Sequence, residues 1–385
     1  MSTAREQQKD SLRVSAARRE GWPARLSRYV ARRSRLLGLA ILIGFLAGLA
    51  NRFLFDAAAE RDMANSLRSG LHGVGIALTV WMVQAFFAVG ARSEVGAALR
   101  RLPLAAEVLI RSIVMALAVV VVGVLLQFVL YADSSGRHGI SAEWLRNRLP
   151  EIVALSLGLS LVVNAVAETI RLIGRPMLAS VLLGAYHRPA REQLIVMFLD
   201  LAGSTRLAEE MGELKVHDLL TRFFFDIDEP ISDHGGAVHA YVGDEAIVAW
   251  PLADDPSANA RALTCFFAME EKIARLKPDY ERAFGVAPRF RAGLHAGAVI
   301  VSECGDAKRQ LAFFGDTMNV AARLCEECKA ANRRLIVSAD MLRQAAVPSD
   351  IKVGETVSLA LRGRNQPIEA HAVERRAPHA DEGRS

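Results

Sequence analysis

Apolar residues crowd the first 175 positions of this chain into four long runs, roughly 36–55, 72–91, 113–132 and 151–170. A helix of about 20 residues crosses a hydrocarbon core about 30 Å thick, so the pattern predicts an N-terminal four-helix transmembrane region over 36–172. The third run, Ile113 through Val122, contains no polar residue, whereas Asn51 and Arg52 interrupt the first. Asn164 and Glu168 lie in the fourth, four residues apart and so on one helix face. Asn164 reads as an interhelical hydrogen-bond partner, and Glu168 as a side chain wetted at the inner headgroup level.

Beyond residue 192 the apolar runs shorten and the period changes. Strands are expected at 194–199, 288–295, 310–314 and 334–338, a hairpin over 237–250, and closing strands near 356–361 and 368–374. Helices are expected over about 206–233, 257–276 and 317–331. Strands that adjoin through hairpins, with no Gly-x-Gly-x-x-Gly after a strand, exclude a dinucleotide-binding unit and point to an α/β, ferredoxin-like domain with a largely antiparallel sheet over 192–375. The intervening 173–191, bracketed by Pro176 and Pro189, has apolar residues at near-helical spacing and reads as a helical linker. Residues 1–35 read as a basic tail and 376–385 as a disordered one.

Composition sharpens this division. The 52% hydrophobic content of the 385 residues is high for a wholly soluble protein. No cleaved leader is expected, because about 35 largely polar residues precede the first apolar run. Ten Lys and Arg residues lie between Arg5 and Arg35, and Arg92, Arg100, Arg101 and Arg111 lie between the second and third runs, while the other two loops balance their charges. The positive-inside rule then places the N-terminus and, after an even number of spans, the C-terminal domain in the cytoplasm of a multi-pass inner-membrane protein. The net charge of +5 follows from that tail, whose nearer partner is anionic membrane lipid, and nucleic acid is not expected. Cys265, Cys304, Cys325 and Cys328 all fall in the C-terminal part, where thiols stay reduced. Cys325 and Cys328 have metal-like spacing but no second pair to complete four ligands, and read as neighbours on one helix face. His239 and His295 likewise read as core or sheet residues.

Two stretches carry candidate chemistry. Met197–Thr205 drives an apolar strand into Asp200 and then into Ala202, Gly203, Ser204 and Thr205, small residues whose backbone N–H groups suit a polyphosphate. Tyr241–Glu245 places Asp244 beside Gly243 at a hairpin turn. Two carboxylates at neighbouring strand ends are a layout for divalent metals and phosphoryl or nucleotidyl transfer.

The blocks Phe198-Leu-Asp200-Leu-Ala-Gly203-Ser-Thr205, Gly235-Gly236-x-Val238-x5-Gly243-Asp244, Arg291-Ala-Gly293-Leu-His295-Ala-Gly297 and Phe314-Gly315-Asp316-Thr317-Met-Asn319-Val320-Ala321-Ala322-Arg323-Leu324 resemble, in order, those of class III nucleotidyl cyclases of the bacterial membrane-anchored type. The likeness covers about 190–374 and leaves the membrane half outside. It implies that Asp200, Asp244 and the carbonyl of Leu201 hold two Mg²⁺ or Mn²⁺ ions per site, and that Asn319 and Arg323 orient the ribose and neutralise the transition state. In this family the last two come from the partner subunit, so a homodimer is implied. Arg362 stands where a basic residue usually meets the triphosphate.

The chain departs from the family where the base is chosen. Ala240 and Ala312 replace side chains that usually hydrogen-bond the purine, and Ala298 stands where many members have a phosphate-directed arginine. The resemblance favours an adenylate cyclase that converts ATP to 3′,5′-cyclic AMP and pyrophosphate. The alternatives are a guanylate or dual-specificity cyclase using GTP, and a catalytically inactive nucleotide-binding signalling domain.

Overall fold

The computed structural model describes residues 30, 34–55, 63–90, 99, 102–130, 142–173, 188–305, 309–359 and 367–376. The chain divides into two compact units, Met1–Arg175 and Pro176–Ser385. Most of the expected linker helix, both termini and Arg362 lie outside the described residues.

The first unit consists of α1 (Ser34–Phe55), α2 (Met63–Gly90), α3 (Leu104–Leu130) and α4 (Ala142–Ile173). Among the described residues, three helices are long and apolar enough to cross a membrane, over Asn65–Gly90, Leu104–Leu130 and Arg146–Ile170. The expectation of four needs correction, because the apolar part of α1 extends only over Leu36–Asn51. Even so, α1 packs closely on α2. A Cβ on Gly48 would strike the Ser69 carbonyl and one on Gly73 the Gly44 carbonyl, so the backbones approach as small residues permit in membrane helices.

Polarity in this unit is inverted relative to a water-soluble core. Leu42, Ile43, Leu117, Leu125 and Leu155 face outward, whereas Glu107, Ser112, Ser160, Asn164 and Glu168 are buried. Gln84 Nε2 on α2 donates to Asn164 Oδ1 on α4 at 3.2 Å, the interhelical bond expected for Asn164. Glu168 corrects its expectation. Its side chain is only 9% exposed and lies 3.6 Å from Arg111 Nη1, and the same guanidinium pairs with Glu107 one turn away on α3. Arg111, counted from the sequence among loop charges, is thus a helix residue that neutralises buried carboxylates, because a bare ion in that interior would be costly.

In the second unit the strands are β1 (Ala190–Leu201), β2 (Ala237–Val242), β3 (Glu245–Pro251), β4 (Phe290–Cys304), β5 (Gln310–Phe314), β6 (Leu335–Ser338), β7 (Ile351–Leu359) and β8 (Ile368–Arg375). The helices are α5 (Ser204–Met211), α6 (Glu213–Asp233), α7 (Pro256–Phe284), α8 (Asp316–Ala330) and the unforeseen one-turn α9 (Ala339–Arg343). The sheet order is β2-β3-β1-β4-β6-β8-β7 with β5 on β4, and among the described residues only β4 and β6 pair in parallel. The expected α/β class with a largely antiparallel sheet therefore describes the fold. Residue Gly212, at φ +87°, breaks the 206–233 helical stretch into α5 and α6.

Alternation along β1 separates two cores. Ile195, Met197, Leu199 and Leu201 join Phe223, Phe266 and Tyr280 from α6 and α7, while Val196 and Phe198 join Ile247 and Val299 beneath Ala321 and Cys325 of α8. Gly293 permits that second layer, since a Cβ there would collide with the backbone of Ala321 and Cys325. By the same alternation, Asp200 emerges at the end of β1 on the α8 face.

Candidate active site

Three elements converge on Asp200. Its β1 position pairs with Glu245 of β3 on one side and Arg291 of β4 on the other, so all three side chains share the α8 face. Arg291 Nε lies 3.0 Å from Asp200 Oδ2. Asp244, in the β2–β3 turn, comes within hydrogen-bond reach of the Asp200 carboxyl. The turn is tied down by the Leu201 N–H, which donates to the Asp244 carbonyl at 3.3 Å, and by the Ser204 hydroxyl, which donates to Asp244 Oδ2. Gly243 at φ +62° supplies the left-handed residue that the turn requires.

Burial raises the Asp200 carboxyl above its ordinary pKa, Arg291 opposes the shift, and the Asp244 charge adds to it. The Glu245 carboxyl is raised too, by burial first and then by Asp200, Asp244 and Glu326. The like charge of Asp244 beside Asp200 disfavours the ionised Asp200 carboxyl, and a nearby cation offsets that cost. Among the described residues no group of three or more His, Cys, Asp or Glu side chains is gathered to hold a metal. The oxygens this end could offer a metal are those of two aspartates plus backbone. Oxygen donors of this kind fit Mg²⁺ or Mn²⁺. The side chain of Leu201 is sunk in the core at 1% exposure, which leaves only its backbone to serve the site.

Gly203, at φ +78°, starts α5, and the N–H groups of Ser204 and Thr205 precede the first helical hydrogen bond, from Leu207 N to Gly203 O. The Ala202 N–H is already donated to the Arg289 carbonyl at 2.7 Å. That N–H is thus not free for a polyphosphate, which corrects the expectation for Ala202.

Asn319 and Arg323 are exposed and lie one turn apart on α8, opposite the buried Val320, Ala321, Leu324, Cys325 and Cys328. Arg323 pairs with Glu326 on that outer face, and the cations acting on Asp200 are Arg291 and Lys329 instead. Ala240 packs near the α8-side core, and Ala312 pairs with Ser302 in the β4–β5 hairpin. Between them, His239 stacks on Phe313 with ring centroids 3.6 Å apart. His295 is buried with Nδ1 2.7 Å from Ser338 Oγ, a core role. The Cys325 and Cys328 thiols contact the carbonyls of Arg291 and Ala292, which seats α8 on β4 and matches the reading of helix-face neighbours. Sequence reasoning gave Arg291 and Glu245 no role; the signal was there, as both sit at strand ends flanking the two aspartates.

Residues 187–375 match the family model for the adenylate and guanylate cyclase catalytic domain. The C-terminal half of the chain belongs to this family. Adenylate cyclase 2 of Rhizobium meliloti (strain 1021) is 36% identical over 197 residues, covering 51% of this chain and 54% of that protein. An uncharacterised protein of Mycobacterium tuberculosis (strain H37Rv) is 33% identical over 177 residues, covering 45% of this chain and 30% of its own length. The chain thus spans about half of the first relative and about a third of the second. Among solved structures, the adenylyl cyclase CyaB from P. aeruginosa aligns at TM-score 0.43 and 22% identity, over 51% of this chain and 100% of that one. The guanylyl cyclase Cya2 aligns at TM-score 0.43 and 18% identity, over 50% and 97%.

Proposed function

We propose that this cyclase domain converts ATP to 3′,5′-cyclic AMP and pyrophosphate at sites shared between two copies of the chain, each tethered by its helical unit to the inner membrane with the catalytic domain in the cytoplasm. The observation that carries the reading is the division of parts. Asp200 and Asp244 meet at one sheet end, while Asn319 and Arg323 point outward from α8, where a second copy can use them.

When bound, two divalent ions would supply Lewis-acid activation of the ribose 3′-hydroxyl and neutralise triphosphate charge. The chain's own residues do the rest. Ser204 fixes the Asp244 carboxylate, and the N–H groups of Ser204 and Thr205 at the α5 terminus meet phosphate oxygens. Asn319 orients the ribose and Arg323 stabilises charge developing on the α-phosphate, both from the partner. Arg362 is retained as a triphosphate contact. ATP is preferred because the Rhizobium meliloti relative is named an adenylate cyclase. GTP is the second reading, favoured by Ala240 and Ala312, which leave no polar side chain to reject guanine.

The shared site has a direct test. Asp200→Asn and Arg323→Ala chains are each expected to be inactive, and a mixture of the two should recover activity through the one intact site of the heterodimer. A mixture as inactive as its components, with heterodimers shown to form, contradicts the shared arrangement.

A further inference from the structure

We infer that Arg291 sets how tightly the Asp200–Asp244 pair holds a divalent cation: it occupies Asp200 when no ion is there and yields it when one arrives. The inference rests on the metal-site reading above and adds a positioning residue to it.

The β1–β4 register places Arg291 directly across from Asp200, so the guanidinium needs no backbone movement to reach the carboxylate. The pair is largely enclosed, with side chains 13% and 21% exposed, where screening by water is weak. Yet the approach is that of Nε, which lies 3.0 Å from Oδ2 but out of line, and this buried nitrogen has no hydrogen-bond partner. The strongest Arg–carboxylate pairs are bidentate and aligned. This one is held by charge with few directional ties, and charge is what an arriving cation contests. On the far side of Asp200, Glu245 of β3 lies directly across on the same face. Its carboxylate keeps that end anionic after Asp200 has been taken, so a displaced guanidinium remains in a favourable field.

A guanidinium that only braced Asp200 would, when removed, loosen the site and weaken metal binding. A competing guanidinium, when removed, strengthens it. The sign separates the two.

The test is Mn²⁺ titration of the full-length chain in nanodiscs without nucleotide, followed by the electron paramagnetic resonance of free Mn²⁺, with thermal melting in chelator alongside. Removing a unit charge in contact with the liganding carboxylate should tighten Mn²⁺ binding about tenfold in Arg291→Gln. Arg291→Lys, which keeps the charge, should stay close to wild type. The Gln variant should melt lower than wild type in chelator and regain the difference with Mn²⁺. Binding by a folded Gln variant that is unchanged or weaker overturns the inference. If that variant does not fold, the ¹⁵Nε resonance of Arg291 in the wild-type chain carries the test: Mg²⁺ must move it, and an unmoved resonance overturns the inference equally. Mn²⁺ binding that is insensitive to Asp200→Asn and Asp244→Asn sinks the metal-site reading itself, a result distinct from either.

Discussion

Both units of this chain enclose an arginine against carboxylates, and they do so for different ends. In the membrane unit Arg111 lies between Glu107 and Glu168, with its guanidinium 5.3 Å from the Phe87 ring centroid. That contact ties α3 to α4 inside an interior whose surroundings are apolar. In the cyclase unit Arg291 meets Asp200 at a sheet end beside Asp244, where the proposed divalent cation would compete for the same carboxylate. On that proposal the same pair of residue types is a clamp where the alternative is hydrocarbon and a gate where the alternative is an ion. Surroundings, more than the pair, decide which.

Substitutions that separate the two should differ in kind as well as size. The largest effect is expected in the cyclase unit, where Asp200→Asn or Asp244→Asn removes a metal-holding oxygen and lowers turnover by more than about a thousandfold. For Asp200→Asn, circular-dichroism melting should show no loss of stability, because a raised, half-buried carboxylate strains the fold it sits in. Next comes Arg111→Ala, which leaves two buried carboxylates unpaired and should destabilise the membrane unit by about 3–5 kcal/mol. Its Mn²⁺ affinity should match wild type, and a large change there would mean that the two arginines are not independent. Asn164→Ala, which removes the hydrogen bond from Gln84 and the weaker one to Met115 Sδ, should cost about 0.6 kcal/mol for each bond of full strength in the same unfolding measurement.

The smallest effect is one of pH. Asp200 and Glu245 are raised in the fold above their ordinary values of 3.8 and 4.5, so the folded, metal-free chain binds their protons more tightly than the unfolded chain does. Their contribution to stability is full below those ordinary values and is lost as pH rises through the raised ones. A cyclase unit without metal should gain stability on mild acidification from neutral pH, and Asp200→Asn should flatten that slope in denaturant titrations. A slope unchanged by the substitution would assign the effect to other groups.

How much of this was legible from the sequence follows the same division. Motif order singled out Asp200, Asp244, Asn319 and Arg323, and the unbroken apolar run over 194–199 placed the central strand, because a strand buried on both faces is apolar at successive positions. Hydropathy located the spans but overcounted them: the apolar part of α1 is short, and what joins α1 to α2 is a set of glycines rather than length. Burial of Glu168 was missed because its partner, Arg111, is 57 residues away and reads as a loop charge until α3 and α4 are packed. Arg291 was seen only as part of a motif, since its role depends on β1–β4 register, which pairs residues 91 positions apart. Local period and motif are one-dimensional facts, and the partners of buried charges are not.

The most direct measurement is a product assay on the full-length chain in nanodiscs, with Mn²⁺ and either ATP or GTP, separated chromatographically. The account predicts 3′,5′-cyclic AMP and pyrophosphate from ATP in equal amounts, lost in Asp244→Asn. Nucleotide that is bound but returned unchanged by a folded, metal-loaded dimer, or joined into a dinucleotide, would contradict it.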